Sequence, residues 1–304
     1  MSRRANIRYF FVRTFGKLPL KFHYGFGKVV SWFLEHVMHY RQKDILINLA
    51  RSFPDSHYVT IKSMAHDYYA HIGHLFAETI WFSGCYHNPK RLRNQKIMEV
   101  VNQDLLKALY DKAPSVDIFT SHCGNWELFG GICSYNYGDP ANDIPQSQYK
   151  VVYKQLTHKV SDETFKLMRC SPIKEEYNGM LESTELFRYM LSHKNEKNVY
   201  CIIGDQSPYA TKVKLTNEFL NQTTYGMLGS FKLATRCHHA AVFAHVRRDG
   251  KGHYLIEYET IAEDASVFTP QELMDRYFTI LQKDIEADPV NWLWSHKRWK
   301  YCEK

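Results

Sequence analysis

The sequence has no Cys-x-x-Cys pair; its 7 cysteines among 304 residues, Cys85, Cys123, Cys133, Cys170, Cys201, Cys237 and Cys302, are scattered. That excludes a disulfide scaffold or a paired-thiolate metal framework and points to a reducing compartment. Also missing is any run of about 18 consecutive apolar residues, the length a membrane-crossing helix requires. The nearest candidate, Phe22 to Tyr40, is interrupted by Lys28, Glu35 and His36. The basic opening Ser2-Arg3-Arg4-Ala-Asn-Ile-Arg8-Tyr-Phe-Phe-Val-Arg13 carries only a short apolar patch with no small-residue cleavage pattern after it, so a signal peptide is not expected. No internal repeat, long low-complexity linker or nucleic-acid-binding module is recognisable, which leaves one large globular unit with a helical arm in front.

What the chain does have is an excess of positive charge, 39 Lys and Arg against 32 Asp and Glu, for a formal net charge of +7. Such an excess suits an anionic membrane surface, an anionic lipid or an acidic carrier protein. The basic and aromatic N-terminal segment reads as an interfacial helix or, equally, as an ordinary amphipathic core helix.

Strands are expected near 116–121, 150–154, 199–203, 240–247 and 253–259. Helices are expected near 24–52, 57–82, 101–112, 125–136, 158–169, 179–193, 226–238 and 269–286. The alternation implies an α/β fold with a mixed, largely parallel sheet flanked by helices.

The chemistry concentrates at Val116-Asp-Ile-Phe-Thr-Ser-His122-Cys-Gly-Asn-Trp-Glu127. The apolar strand delivers His122 to its carboxyl end, the edge of an open α/β sheet where ligands bind. Gly124-Asn125 supplies a turn and a helix N-cap, and Glu127 falls in the first helical turn, where the macrodipole favours a carboxylate. A carboxylate on one imidazole nitrogen fixes the tautomer and makes the other a better base, so His122 with Glu127 as its orienter is the expected catalytic pair. The bland alternative is a strand-end histidine that merely caps the helix. Cys123 is adjacent but is expected to point elsewhere, and no metal is required.

The run Thr120-Ser-His-Cys-Gly-Asn-Trp-Glu-Leu128 resembles the His-x4-Glu block of the bacterial lipid A biosynthesis acyltransferases. Three further segments follow in the same order: Val151-Val-Tyr-Lys154, Ile203-Gly-Asp205-Gln206, and the tail Asn291-Trp-Leu-Trp-Ser-His-Lys-Arg-Trp-Lys300. The resemblance covers nearly the whole chain. It implies the glycerolipid acyltransferase type of fold; the chain is expected to divide into a membrane-associating helical arm over 1–55 and an acyltransferase domain over 56–304. It further implies a fatty acyl thioester of acyl carrier protein, or of coenzyme A, as co-substrate with no other cofactor. The implied acceptor is a hydroxyl of a lipid A precursor, at the cytoplasmic face of the bacterial inner membrane.

By the same resemblance Lys154, where the family usually has arginine, is a candidate phosphate or carboxylate clamp without the planar fork. Asp205, Gln206 and Asn125 are candidate substrate-binding residues. Asn217 to Thr224 resembles the segment near the acyl chain, making Phe219, Leu220, Tyr225, Met227 and Leu228 candidate acyl-pocket walls. Trp292, Trp294 and Trp299, interleaved with His296, Lys297, Arg298 and Lys300, suit either a headgroup layer or a packed core; membrane contact is the role expected of them. Alternatives are a different glycolipid or amino-acid-lipid acceptor, an acyl thioesterase, or a non-catalytic lipid-binding paralogue.

Overall fold

The computed structural model describes residues 2–135, 144–173, 179–208 and 216–300. In chain order the elements are α1 (Arg3–Gly16), α2 (Leu20–His36), α3 (Gln42–Ser52), α4 (Tyr58–Ser83), α5 (Pro89–Gln95), β1 (Met98–Val100), α6 (Gln103–Lys112) and β2 (Val116–Thr120). A 3-10 helix, Trp126–Ser134, then precedes β3 (Tyr149–Tyr153), α7 (Lys159–Arg169), β4 (Met180–Glu182), α8 (Leu186–Ser192) and β5 (Val199–Ile203). The chain closes with β6 (Thr216–Phe219), β7 (Gln222–Tyr225), α9 (Leu228–Arg236), β8 (Ala240–Arg248), β9 (Tyr254–Ala262) and α10 (Pro270–Ala287).

Seven strands form one sheet in the order β1-β9-β8-β2-β5-β3-β4. All neighbours run parallel except β8 and β9, which pair antiparallel with a register shift at Ala241/Val242. The fold is therefore α/β with a mixed, largely parallel sheet. The central strand β2 is buried along its whole length, as its apolar and β-branched run requires of a strand covered on both faces. Parallel pairing of β2 with β5, and of β5 with β3, brings three carboxyl ends to the same edge, the ends that lead to His122, Asp205 and Lys154.

Three expectations about elements need correction. The single helix expected over 24–52 is two helices, because His39 and Arg41 take left-handed backbone angles that end α2 and start α3. The stretch expected as a helix over 179–193 opens with the edge strand β4 before the short α8. The helix expected over 125–136 is a 3-10 helix.

The N-terminal helices pack against the rest of the protein. Leu20, Tyr24 and Gly27, spaced one helical turn apart, form the buried stripe of α2 against α4. At the crossing a Cβ on Gly27 would lie 2.3 Å from the carbonyl oxygen of Gly73, so only glycine permits this approach. α1 is tied to the end of α7 by a 2.8 Å hydrogen bond between the Tyr9 and Ser171 hydroxyls. At the other end of the chain, α10 starts with a full capping box, Thr269 with Glu272, and Pro270 in its first turn.

Candidate active site

His122 leaves β2 into a loop in which three consecutive backbone donors, those of His122, Cys123 and Gly124, are engaged. Its own N–H donates to Asp205 Oδ2 at 2.9 Å, that of Cys123 to Ser121 Oγ, and that of Gly124 to the backbone and side-chain oxygens of Asn291. Gly124 sits at φ +62, and a Cβ there would come within 2.5 Å of Val246 Cγ1; both the backbone angle and the space call for glycine. These three engaged donors hold the histidine in place.

The carboxylate on His122 is that of Asp205. Its Oδ1 lies 2.6 Å from His122 Nδ1, and its Oδ2 also accepts the Trp292 indole N–H at 2.7 Å. Both side chains are buried, with 8% of His122 and 1% of Asp205 exposed. Burial alone would push the Asp205 carboxyl up. The adjacent His122 imidazole and the donors from His122 and Trp292 outweigh it and hold the carboxyl below its ordinary value. The ionised Asp205 fixes the proton on Nδ1 and leaves Nε2 as the acceptor, where the Gln206 side-chain amide donates at 3.0 Å. Trp126 lies edge-on to the imidazole with ring centroids 5.1 Å apart. A base oriented by a buried carboxylate, with its second nitrogen held open by a displaceable amide, can take a proton from a hydroxyl.

Glu127 is not the residue that meets His122. It is held by a two-point ion pair with Arg169, Nε to Oε2 at 2.7 Å and Nη2 to Oε1 at 3.1 Å, which locks the 3-10 helix to the last turn of α7. The 3-10 geometry accounts for the difference. Its tighter winding turns the carboxylate at 127 toward α7, while Trp126 faces the imidazole.

Asn125, expected at the substrate, is fully buried and its amide is consumed by structure. It donates to Leu75 O at 3.2 Å and to Glu78 Oε2 at 3.0 Å. Glu78 also accepts from the Tyr24 hydroxyl at 2.8 Å and the Tyr254 hydroxyl at 2.9 Å. Burial pushes the Glu78 carboxyl up to about 6 even with these three donors lowering it. The network joins α2, α4 and β9 to the His122 loop.

The tryptophans expected at a membrane are core residues: Trp292 is 2%, Trp294 0% and Trp299 8% exposed. Each indole N–H has an internal acceptor, Asp205 for Trp292, Pro289 O for Trp294 and Thr224 Oγ1 for Trp299. Satisfied indoles pack inside as readily as any large apolar group. Arg298, in the same run, is buried too, its guanidinium 5.6 Å from the Phe278 ring centroid.

Of the expected acyl-pocket walls, Phe219 and Leu220 are buried at the end of the β6–β7 hairpin. Phe219 packs against Phe278, Trp292 and Trp299. Leu228 is buried at the start of α9, whereas Tyr225 is partly open and Met227 is exposed. Lys154 is exposed just beyond β3, on the same sheet edge as His122. Burial pushes the Cys123 thiol well up, away from the thiolate a nucleophile requires. Among the described residues no group of three or more His, Cys, Asp or Glu side chains is arranged to hold a metal ion.

Sequence reasoning missed the roles of Trp292 and Asn291 at the site, Arg169 on Glu127, and Glu78 behind Asn125. The tail containing Asn291 and Trp292 did stand out, but its aromatic and basic mixture pointed outward. Nothing in the local sequence marks Arg169 or Glu78.

The profile of the family described as bacterial lipid A biosynthesis acyltransferase matches residues 4–301. No curated protein matches the chain.

Proposed function

The chain belongs to the bacterial lipid A biosynthesis acyltransferase family, and we propose that it moves a fatty acyl group from the thioester of acyl carrier protein to a hydroxyl of a lipid A precursor at the cytoplasmic face of the inner membrane. As an acyltransferase it needs to activate an alcohol against a carbonyl that is already reactive. The observation that carries the reading is the His122–Asp205 pair with Nε2 turned to Gln206.

In this reading the acceptor hydroxyl displaces the Gln206 amide and hydrogen-bonds to His122 Nε2. As the hydroxyl oxygen bonds to the acyl carbon, its proton passes to Nε2 and the imidazolium is stabilised by Asp205. The carbon–sulfur bond then breaks, and His122 returns the proton to the leaving thiolate. No covalent enzyme intermediate forms. Lys154, on the same edge, offers a point charge to a phosphate of either substrate. Tyr225 and Met227 are the wall candidates that retain access.

The test is mass spectrometry of products from wild-type and His122→Ala protein given acyl carrier protein loaded with mixed chain lengths, with and without a lipid A precursor. The reading requires an acylated precursor that disappears with His122→Ala. Free fatty acid as the only wild-type product makes the enzyme a thioesterase, and undiminished transfer by His122→Ala removes the base. Replacing the carrier with coenzyme A thioesters decides the donor.

A further inference from the structure

His245, on β8, is buried and stands between two carboxylates. Its Nδ1 lies 2.8 Å from both oxygens of Asp284 on α10, and its Nε2 lies 3.1 Å from Glu259 Oε2 on the neighbouring β9. An ionised carboxylate only accepts and a neutral imidazole carries one N–H, so a neutral ring would set one nitrogen lone pair against an oxygen. Both contacts are made together only when each nitrogen bears a proton, which makes the group in this position an imidazolium. Burial alone would lower the His245 imidazole. The Asp284 carboxylate, through its hydrogen bond and its charge, and then Glu259 outweigh burial and the opposing charge of Arg247, and hold the ring above its ordinary value. The other charges around it are paired, Arg247 with Glu257 on β9 and Arg248 with Asp288 just past α10. Burial keeps the Cys123 thiol, within electrostatic reach of Asp284 from the His122 loop, protonated.

The end of α10 that His245 holds leads to the active site through a chain of hydrogen bonds. The Asp284 carbonyl accepts the Asp288 N–H at 3.0 Å, and the Asp288 carbonyl accepts that of Asn291 at 3.1 Å. The Asn291 side chain donates to Val246 O at 2.7 Å, one residue along β8 from His245, and its backbone and side-chain oxygens receive the Gly124 N–H beside His122. The next residue, Trp292, donates to Asp205. β8 and the end of α10 thus meet at Asn291, joined by two side-chain bridges, Arg248–Asp288 and His245–Asp284. Arginine keeps its charge at every working pH, so the His245 bridge is the one that a proton controls.

We propose that His245 is a positioning residue for acyl transfer: as an imidazolium it clamps the end of α10 to β8 and β9, and so fixes Asn291 and Trp292 against the His122 loop and Asp205. The inference rests on the transfer reaction proposed above, but its first test reads hydrogen exchange rather than turnover, so the two fail separately. A histidine held above its ordinary value contributes fully below about 6.5, and the contribution is lost as the pH rises through the folded value. The clamp is therefore closed at pH 6 and released on the alkaline side.

The experiment compares the full chain with His245→Gln, whose single amide nitrogen cannot supply charge to either carboxylate. Amide hydrogen exchange at pH 6, read by mass spectrometry, is expected to be about tenfold faster in the variant for peptides covering 122–125 and 288–294, with β1 and α6 unchanged. In the transfer assay at pH 6, kcat is expected to fall about tenfold with KM little changed. Both differences should shrink toward nothing by pH 9, where the wild-type ring is neutral too; taking ratios cancels the titration of His122, which both proteins share. Glu259→Gln, at a side chain more than half exposed, leaves one carboxylate and is expected to bring the loss of exchange protection to lower pH; thermal melting checks that both variants fold. Unchanged exchange at 122–125 and 288–294, or faster exchange throughout the chain, overturns the positioning role whether or not transfer is found. Differences that stay constant from pH 6 to pH 9 overturn the proton clamp.

Discussion

The two ends of the chain are both rich in aromatic and basic residues, and they have opposite fates. At the carboxyl end Trp292, Trp294 and Trp299 are buried, each indole donating to an acceptor inside the protein. At the amino end Phe11, Phe22 and Trp32 stand more than half exposed. Composition does not separate them; periodicity does. The amino-terminal apolar residues recur at helical spacing on both sides of α2, one stripe for α4 and one left over. The carboxyl-terminal run is irregular, crosses the sheet edge, and places a tryptophan at each point where a polar partner waits.

The comparison can be broken by truncation. Trp294→Ala removes a fully buried indole and is expected to cost about 3–5 kcal/mol in chemical denaturation. A loss under about 1 kcal/mol would show that the tail is not part of the core. Trp292→Phe keeps the ring but leaves Asp205 Oδ2 without its indole donor. It should destabilise by roughly 1.5–3 kcal/mol and lower the transfer rate more than it changes KM, measured by steady-state kinetics.

Glu78 tests the inner side of the same amino-terminal helices, since it binds Tyr24 of α2 and Asn125 beside the site. Its folded carboxyl titrates at about 6 against an ordinary 4.5, so its favourable contribution is present below about 4.5 and is lost as the pH rises through 6. Between pH 4 and 7 the stability difference between Glu78→Gln and wild type should shift by about 2 kcal/mol in favour of the variant. A flat difference would mean that Glu78 is not held as described. The smallest effect is expected outside: Trp32→Ser should change stability by no more than about 0.5 kcal/mol. A large loss of stability would place Trp32 in the fold instead.

Much of this was legible beforehand because it depends on local pattern. The buried run Val116–Thr120 could only be an inner strand, and Val199–Ile203 likewise, so the delivery of His122 and Asp205 to one sheet edge follows from two strands and their parallel pairing. The identity of His122's partner depends on pairing between distant segments. Glu127 is five residues away and Asp205 is 83, and sequence proximity favoured the wrong carboxylate. The 3-10 winding of Trp126–Ser134 and the Arg169 on α7 that turn Glu127 aside leave no local trace. The buried tryptophans escaped for the same reason, since an indole with a distant acceptor reads like one facing a headgroup.

The central claim is that Asp205, acting through His122, sets the rate of acyl transfer, while Glu127 holds α7 in place. The direct measurement is kcat and KM for Asp205→Asn and Glu127→Gln with the same acyl thioester and lipid acceptor. An asparagine amide can donate to Nδ1 and force the wrong tautomer, so Asp205→Asn is expected to lose at least about a hundredfold in kcat with KM little changed, and Glu127→Gln less than about tenfold. The reverse order, with Glu127→Gln the more damaging and Asp205→Asn nearly as active as wild type, would contradict the account.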